Sequence, residues 1–101
     1  MSPEEKIADL GITLPEPPTP GGNYLTHRRS GNQLILAGII SFENGGEQWT
    51  GQIGDTRSFK DGYAAAKVCG INVLATIRQI NGSLDAVKQF LYVGGYVNAV
   101  P

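Results

Sequence analysis

Residues Ser58 to Asn81 read as one long helix, and what that helix demands of its surroundings limits the fold more than any other stretch. Ser58 followed three residues later by Asp61 forms an N-terminal capping pair, and Gly82 stands just past the last turn. At about 100° per residue, Ala66, Gly70, Val73, Ile77 and Ile80 fall on one stripe, flanked by Tyr63 and Leu74. A second stripe of Ala64, Val68, Ile71 and Ala75 lies nearly opposite, with Asp61, Asn72 and Gln79 to one side of it. A helix apolar on two sides needs two partners, a sheet on one and another element on the other. Gly70 costs about 1 kcal/mol against alanine inside a helix, so close packing is expected there.

The sheet has to come from the remaining apolar runs. Gln33 to Ser41 is a nearly unbroken apolar run with a polar residue at each end, short and rich in β-branched residues, which favours a strand. Being apolar on both faces, it is expected to be covered on both faces. Gly38 inside it points to a bulge or to the close approach of a ligand. Asn23 to Arg29 reads as the preceding strand, with Ser30-Gly31-Asn32 as the hairpin turn. Phe90 to Val97 alternates as a further strand. Leu91, Val93, Gly95 and Val97 form an aliphatic face suited to the helix. Phe90, Tyr92, Gly94 and Tyr96 form an aromatic face suited to an interface or a pocket. Tyr24, Tyr92 and Tyr96 thus either line a pocket or pack in the core.

Ahead of the sheet, Ser2 is placed to cap a short helix, with Pro3 in its first turn and Glu5 closing a capping box. Ile7 and Leu10 give it one apolar side, and Gly11 ends it. Pro15, Pro17, Pro18 and Pro20, then Gly21-Gly22, make an extended arm that lies across a surface. The chain is therefore expected to be a single α+β domain over residues 1–101, with helix and arm in 1–22 and sheet and long helix in 23–101.

Chemistry is sparse. A net charge of −1 over 101 residues, with Arg28-Arg29 the only basic pair, gives no surface for nucleic acid or an anionic membrane. Cys69 is the only cysteine, so no intrachain disulfide can form, and it sits near the edge of the helical stripe as a small hydrophobe. His27 is the only histidine and lies in a strand, away from any thiol or carboxylate motif. Acidic residues show neither metal spacing nor a paired arrangement, and no phosphate-binding glycine loop occurs, so neither metal nor cofactor is expected. The absence of a leader-like or membrane-spanning stretch leads to the expectation of a soluble, cytoplasmic protein. Ala99-Val100-Pro101 follows directly on the last expected strand, and one helical stripe has no partner in the sequence. Either further chain or oligomerisation is expected to supply the cover.

The order of segments carries more than any one of them. Ser2-Pro3-Glu4-Glu5-Lys6-Ile7-Ala8-Asp9-Leu10-Gly11 and the proline arm precede Asn23-Tyr24, then Ser30-Gly31-Asn32-Gln33-Leu34-Ile35-Leu36-Ala37-Gly38. Thr50-Gly51-Gln52-Ile53-Gly54, Gly62-Tyr63-Ala64-Ala65-Ala66 and Asn72-Val73-Leu74-Ala75 follow, and Gly82-Ser83-Leu84-Asp85-Ala86-Val87 and Gly95-Tyr96-Val97-Asn98 close the series. This chain resembles the reactive-intermediate (imine/enamine) deaminases, the YjgF-like or L-PSP endoribonuclease-like family, in its branch with a proline-rich N-terminal arm. The resemblance implies a chorismate-mutase-like fold, a mixed sheet backed by helices, assembled as a homotrimer with sites between subunits. It also implies that the C-terminal part is lacking here, including the arginine that holds a substrate carboxylate and a downstream glutamate. The implied activity is cofactor-free hydrolysis of amino-acid-derived imines to a keto acid and ammonia. Alternatives are a non-catalytic small-ligand or protein-binding member of the same fold, or an endoribonuclease-like activity, which the charge does not favour. Tyr24 matches the family's pocket tyrosine, and Ala37 and Gly38 match the strand end whose backbone lines the site. Ile39 extends that wall, and Tyr96 joins the candidates from the aromatic face. Many members have Ser-Gly-Gln where this chain has Ala37-Gly38-Ile39, which replaces polar side chains with apolar ones.

Overall fold

The computed structural model describes residues 1–44, 46 and 49–101. Helix α1 spans Pro3–Asp9, strands β1 and β2 span His27–Ser30 and Gln33–Leu36, helix α2 spans Phe59–Asn81, and a 3₁₀ turn covers Leu84–Ala86.

Local chemistry sets both helices. The Ser2 hydroxyl accepts from Glu5 N at 3.2 Å with Pro3 in the first turn. The Glu5 carboxylate makes no return bond among the described residues, so only half of the expected box forms. At the other end Gly11 adopts φ +72°, Gly11 N donates to Ala8 O and Ile12 N donates to Ile7 O. This is a Schellman stop, with Ile12 folded onto the cluster that contains Ile7. In α2 both halves of the capping box form, Asp61 N to Ser58 Oγ at 3.2 Å and Ser58 N to Asp61 Oδ2 at 3.0 Å. Gly82 closes the helix at φ +80°.

The core lies at the C-terminal end of α2. Ile7, Ile77 and Leu84 are buried together, with Ile12, Leu14, Leu34, Leu36, Val73, Leu74 and Val87 packed around them. Burying each large aliphatic side chain stabilises by about 1.5–3 kcal/mol. Polar contacts then lock the same end. Glu4 accepts from Arg78 Nε at 3.2 Å, from Arg78 Nη2, and from Leu84 N at 2.7 Å. Its own backbone N donates to Asp85 Oδ1 at 2.9 Å. The start of α1 and the start of the 3₁₀ turn therefore hold each other, with the arginine of α2 between them.

The hairpin is antiparallel, with His27 opposite Leu36 and Ser30 opposite Gln33. Gly31 at φ +59° followed by Asn32 at negative φ matches the two-residue turn that twists with its strands. Leu34 and Leu36 face the core, and Arg29 Nη2 reaches Asn81 Oδ1 at 2.8 Å, which fastens the hairpin to α2.

Several expectations need correction. The first strand is confined to His27–Ser30, because residues 23, 24 and 26 lie in bends at the end of the arm. The second strand ends at Leu36, short of Ser41, and Ile35 on its outer face is 56 % exposed, so the run is covered on one face only. Phe90–Val97 forms no strand. It is exposed along its length, because among the described residues no neighbouring edge accepts its ladder. Ala66 and Gly70 are exposed, and a Cβ at Gly70 would meet nothing within 4 Å, so close packing does not explain that glycine. Asn72 and Thr76, not the predicted stripe alone, fill the buried side.

The last residues are nonetheless tied down. Ile53 N donates to Asn98 O at 2.9 Å and Val100 N donates to Ile53 O at 2.9 Å. Gln52 Nε2 adds a bond to Ala99 O at 3.1 Å. Gly54, at φ +92°, makes the close approach possible, since a Cβ there would lie 2.6 Å from Val100 Cγ2. Residues 88–97 therefore arch outward between two anchored ends. Among the described residues no helix is long and apolar enough to cross a membrane.

Candidate functional site

The stretch that follows β2 is where backbone chemistry is left open. Ala37 N donates to Thr26 O at 2.9 Å, which extends the hairpin ladder by one bond. Beyond it the chain leaves the sheet. Ile40 O and Phe42 O both accept from Asn72 Nδ2, at 3.1 and 2.9 Å. Alternate carbonyls of an extended segment point the same way, so one side-chain amide can hold both. Between these anchors, the N–H groups of Gly38, Ile39 and Ile40 find no acceptor among the described residues. Gly38 is exposed, and a Cβ there would meet nothing within 4 Å. The result is a short apolar span, pinned at both ends, with free backbone donors and open space beside its glycine.

Ala37, Gly38 and Ile39 are thus together by continuity, with Ala37 and Ile39 half-buried. Tyr24 lies two residues before Thr26, at the same end of the hairpin. Its ring folds back over the preceding turn, with Gly21 N donating to Tyr24 Oη at 3.3 Å. Half of its surface remains exposed. Tyr96 is not brought into this group and stands fully in solvent on the arch. His27 is half-buried, its Nδ1 3.1 Å from the Thr26 hydroxyl. Burial pushes the Cys69 thiol above its ordinary pKa, which suits a packing residue and not a nucleophile. No group of three or more metal-binding side chains occurs among the described residues.

Asn72 escapes a reading by stripes because it falls at the margin of the apolar positions. The available signal was local. Its helical neighbours at four before, three before, three after and four after are Val68, Cys69, Ala75 and Thr76, none of them charged. A polar side chain among such neighbours is buried, and a buried amide requires partners.

The sequence pattern of the family described as "YjgF/chorismate mutase-like, putative endoribonuclease" matches residues 4–100. The chain belongs to this family. Protein TCP17 of Trypanosoma cruzi is 35 % identical over 92 residues, which is 91 % of this chain and 58 % of that protein. A crystal structure of a "putative endoribonuclease" from Shewanella oneidensis superposes with a TM-score of 0.81 at 31 % identity, covering 88 % of this chain and 59 % of that one. Protein Atu1372 of Agrobacterium tumefaciens, of unknown function, gives a TM-score of 0.64 at 32 % identity, with 81 % and 48 % covered. The fold is thus the chorismate-mutase-like α+β fold of the YjgF family. This chain spans about half to three-fifths of the length of those relatives.

Proposed function

We propose that this YjgF-family chain hydrolyses small amino-acid-derived imines in the cytoplasm, C=NH plus water giving C=O plus ammonia. The observation that carries this reading is the pinned span of residues 37–40, with unpaired N–H groups beside an open glycine. Such donors suit the oxygen atoms of a 2-imino or 2-keto acid, and need no cofactor. Tyr24 stands at the same end of the hairpin, its ring turned over the 21–22 turn. Because the span is a wall and not an enclosed cavity, a second copy of the chain would close the site, in a homotrimer. The exposed apolar side chains of Ile35, Ile40 and Phe42 around it support that assembly.

The test is ammonia release from 2-aminoacrylate generated in the assay from serine. Turnover above the uncatalysed rate is expected, with loss of at least tenfold in Gly38→Val, which has room for the new side chain but fills the open space. Turnover unaffected by Gly38→Val, or none at all, counts against the reading. Saturable pyruvate binding without turnover would favour a non-catalytic ligand-binding member of the fold. The ribonuclease description of the relatives would gain ground only from RNA cleavage that weakens steeply with salt, which a chain of net charge −1 gives little reason to expect.

A further inference from the structure

We infer that Asn72 is the positioning residue of the site, fixing the Ala37–Ile39 wall from behind by holding the two carbonyls that follow it. The inference rests on the reading of that wall as a ligand surface, and its geometry is independent of that reading. Asn72 is 2 % exposed and sits on the buried side of α2. Both of its Nδ2 bonds go to backbone thirty and more residues away, to Phe42 O and Ile40 O. Neither bond serves the helix itself. Its backbone carbonyl takes the Thr76 hydroxyl at 2.8 Å, a bond internal to α2.

The consequence follows from where the sheet ends. After the Ala37–Thr26 bond no ladder partner directs the chain, and residues 38–42 have no backbone–backbone bond among the described residues. The hairpin fixes the entry of the span and Asn72 fixes its exit. Remove the exit anchor, and Gly38 and Ile39 keep their sequence but lose the fixed direction of their N–H groups. A site built on backbone donors works only if those donors are aimed before the ligand arrives. Asn72 therefore acts through the wall without touching ligand.

The inference separates from a general stability role by comparing Asn72→Leu and Asn72→Asp with Thr76→Val. Thr76 is buried on the same face but bonds only within α2. In the wild-type full chain the Asn72 side-chain amide protons are expected to be protected from exchange. Backbone ¹⁵N heteronuclear NOE values at Gly38 and Ile39 should approach those of α2. Both Asn72 variants should lower the NOE at Gly38 and Ile39 and weaken pyruvate binding at least tenfold. Thr76→Val, at a similar loss of melting temperature, should do neither. Unprotected Asn72 amide protons in the wild type, or unchanged order at Gly38 and Ile39 in a folded Asn72 variant, would overturn the inference. If the wild type binds no pyruvate, the ligand-surface reading fails by itself, and the NOE comparison still decides whether Asn72 sets the wall.

Discussion

The two ends of the long helix are built in opposite ways. Around its C-terminal half, α1, the proline arm, the hairpin and the 3₁₀ turn converge, and Ile7, Ile77 and Leu84 are buried with charged groups bonded above them. Around its N-terminal half, Phe59 and Tyr63 stand 82 and 72 % exposed, and beyond the 3₁₀ turn the arch of residues 88–97 also holds its aromatics in solvent. The covered end is assembled from segments close to a cap, a stop or a turn of their own. The open side consists of apolar faces that no described segment covers. An uncovered apolar surface of this kind marks a place where proteins meet another surface.

The largest expected effect is at the covered end. Leu84→Ala removes a side chain that is 2 % exposed, and should cost about 2–4 kcal/mol in urea denaturation followed by circular dichroism. A cost under 1 kcal/mol would mean that this end is no better packed than the other. Next is Gly54→Val, which places a branched side chain at φ +92° and against Val100. The loss should be about 1–3 kcal/mol, with faster proteolytic cutting between residues 88 and 97 as the arch loses its far anchor.

The third test concerns the Glu4 clamp and uses pH. Bonds from Arg78 and from Leu84 N hold the Glu4 carboxyl below its ordinary pKa of 4.5. A carboxyl depressed in the folded state adds stability that is present above its unfolded pKa and is lost as pH falls through the folded one. Wild-type melting temperature should therefore fall more steeply below about pH 4.5 than that of Glu4→Gln, which should already be lower at neutral pH. Parallel curves would show that the clamp is not what joins α1 to the rest. The smallest effect on folding is expected on the open side. Phe59→Ser with Tyr63→Ser should change stability by no more than about 0.5 kcal/mol in dilute solution. The same pair should lower the sedimentation mass if that face meets a second copy, and an unchanged mass would remove it from the assembly interface.

Legibility followed the range of the interaction. Ser58 with Asp61, Gly82, Ser2, Gly11 and the Gly31 turn were readable because each acts within four residues of itself. The relation to the YjgF-like family was readable because segment order survives where single motifs are weak. Tyr24, Ala37, Gly38 and Ile39 could be nominated from that resemblance, and three of them form one continuous span. Phe90–Val97 shows the limit. Its alternation is a good strand pattern, yet a strand needs an edge to pair with, and pairing is not a property of the segment alone. Ala66 and Gly70 show it again, since a stripe on a helical wheel becomes a core face only where something lies against it.

By itself the sequence determined the helices, their caps, the hairpin turn and the family, because these depend on neighbours along the chain or on the order of segments. Only the tertiary structure decided which side of α2 is buried, where β2 stops and which polar residue is spent on holding the span after it. Those outcomes depend on groups thirty to eighty residues apart. Asn72 meets Phe42 and Ile40 across that separation, and Arg78 meets Glu4 across a longer one. No local pattern encodes such a meeting, since its free energy exists only once both partners have been placed.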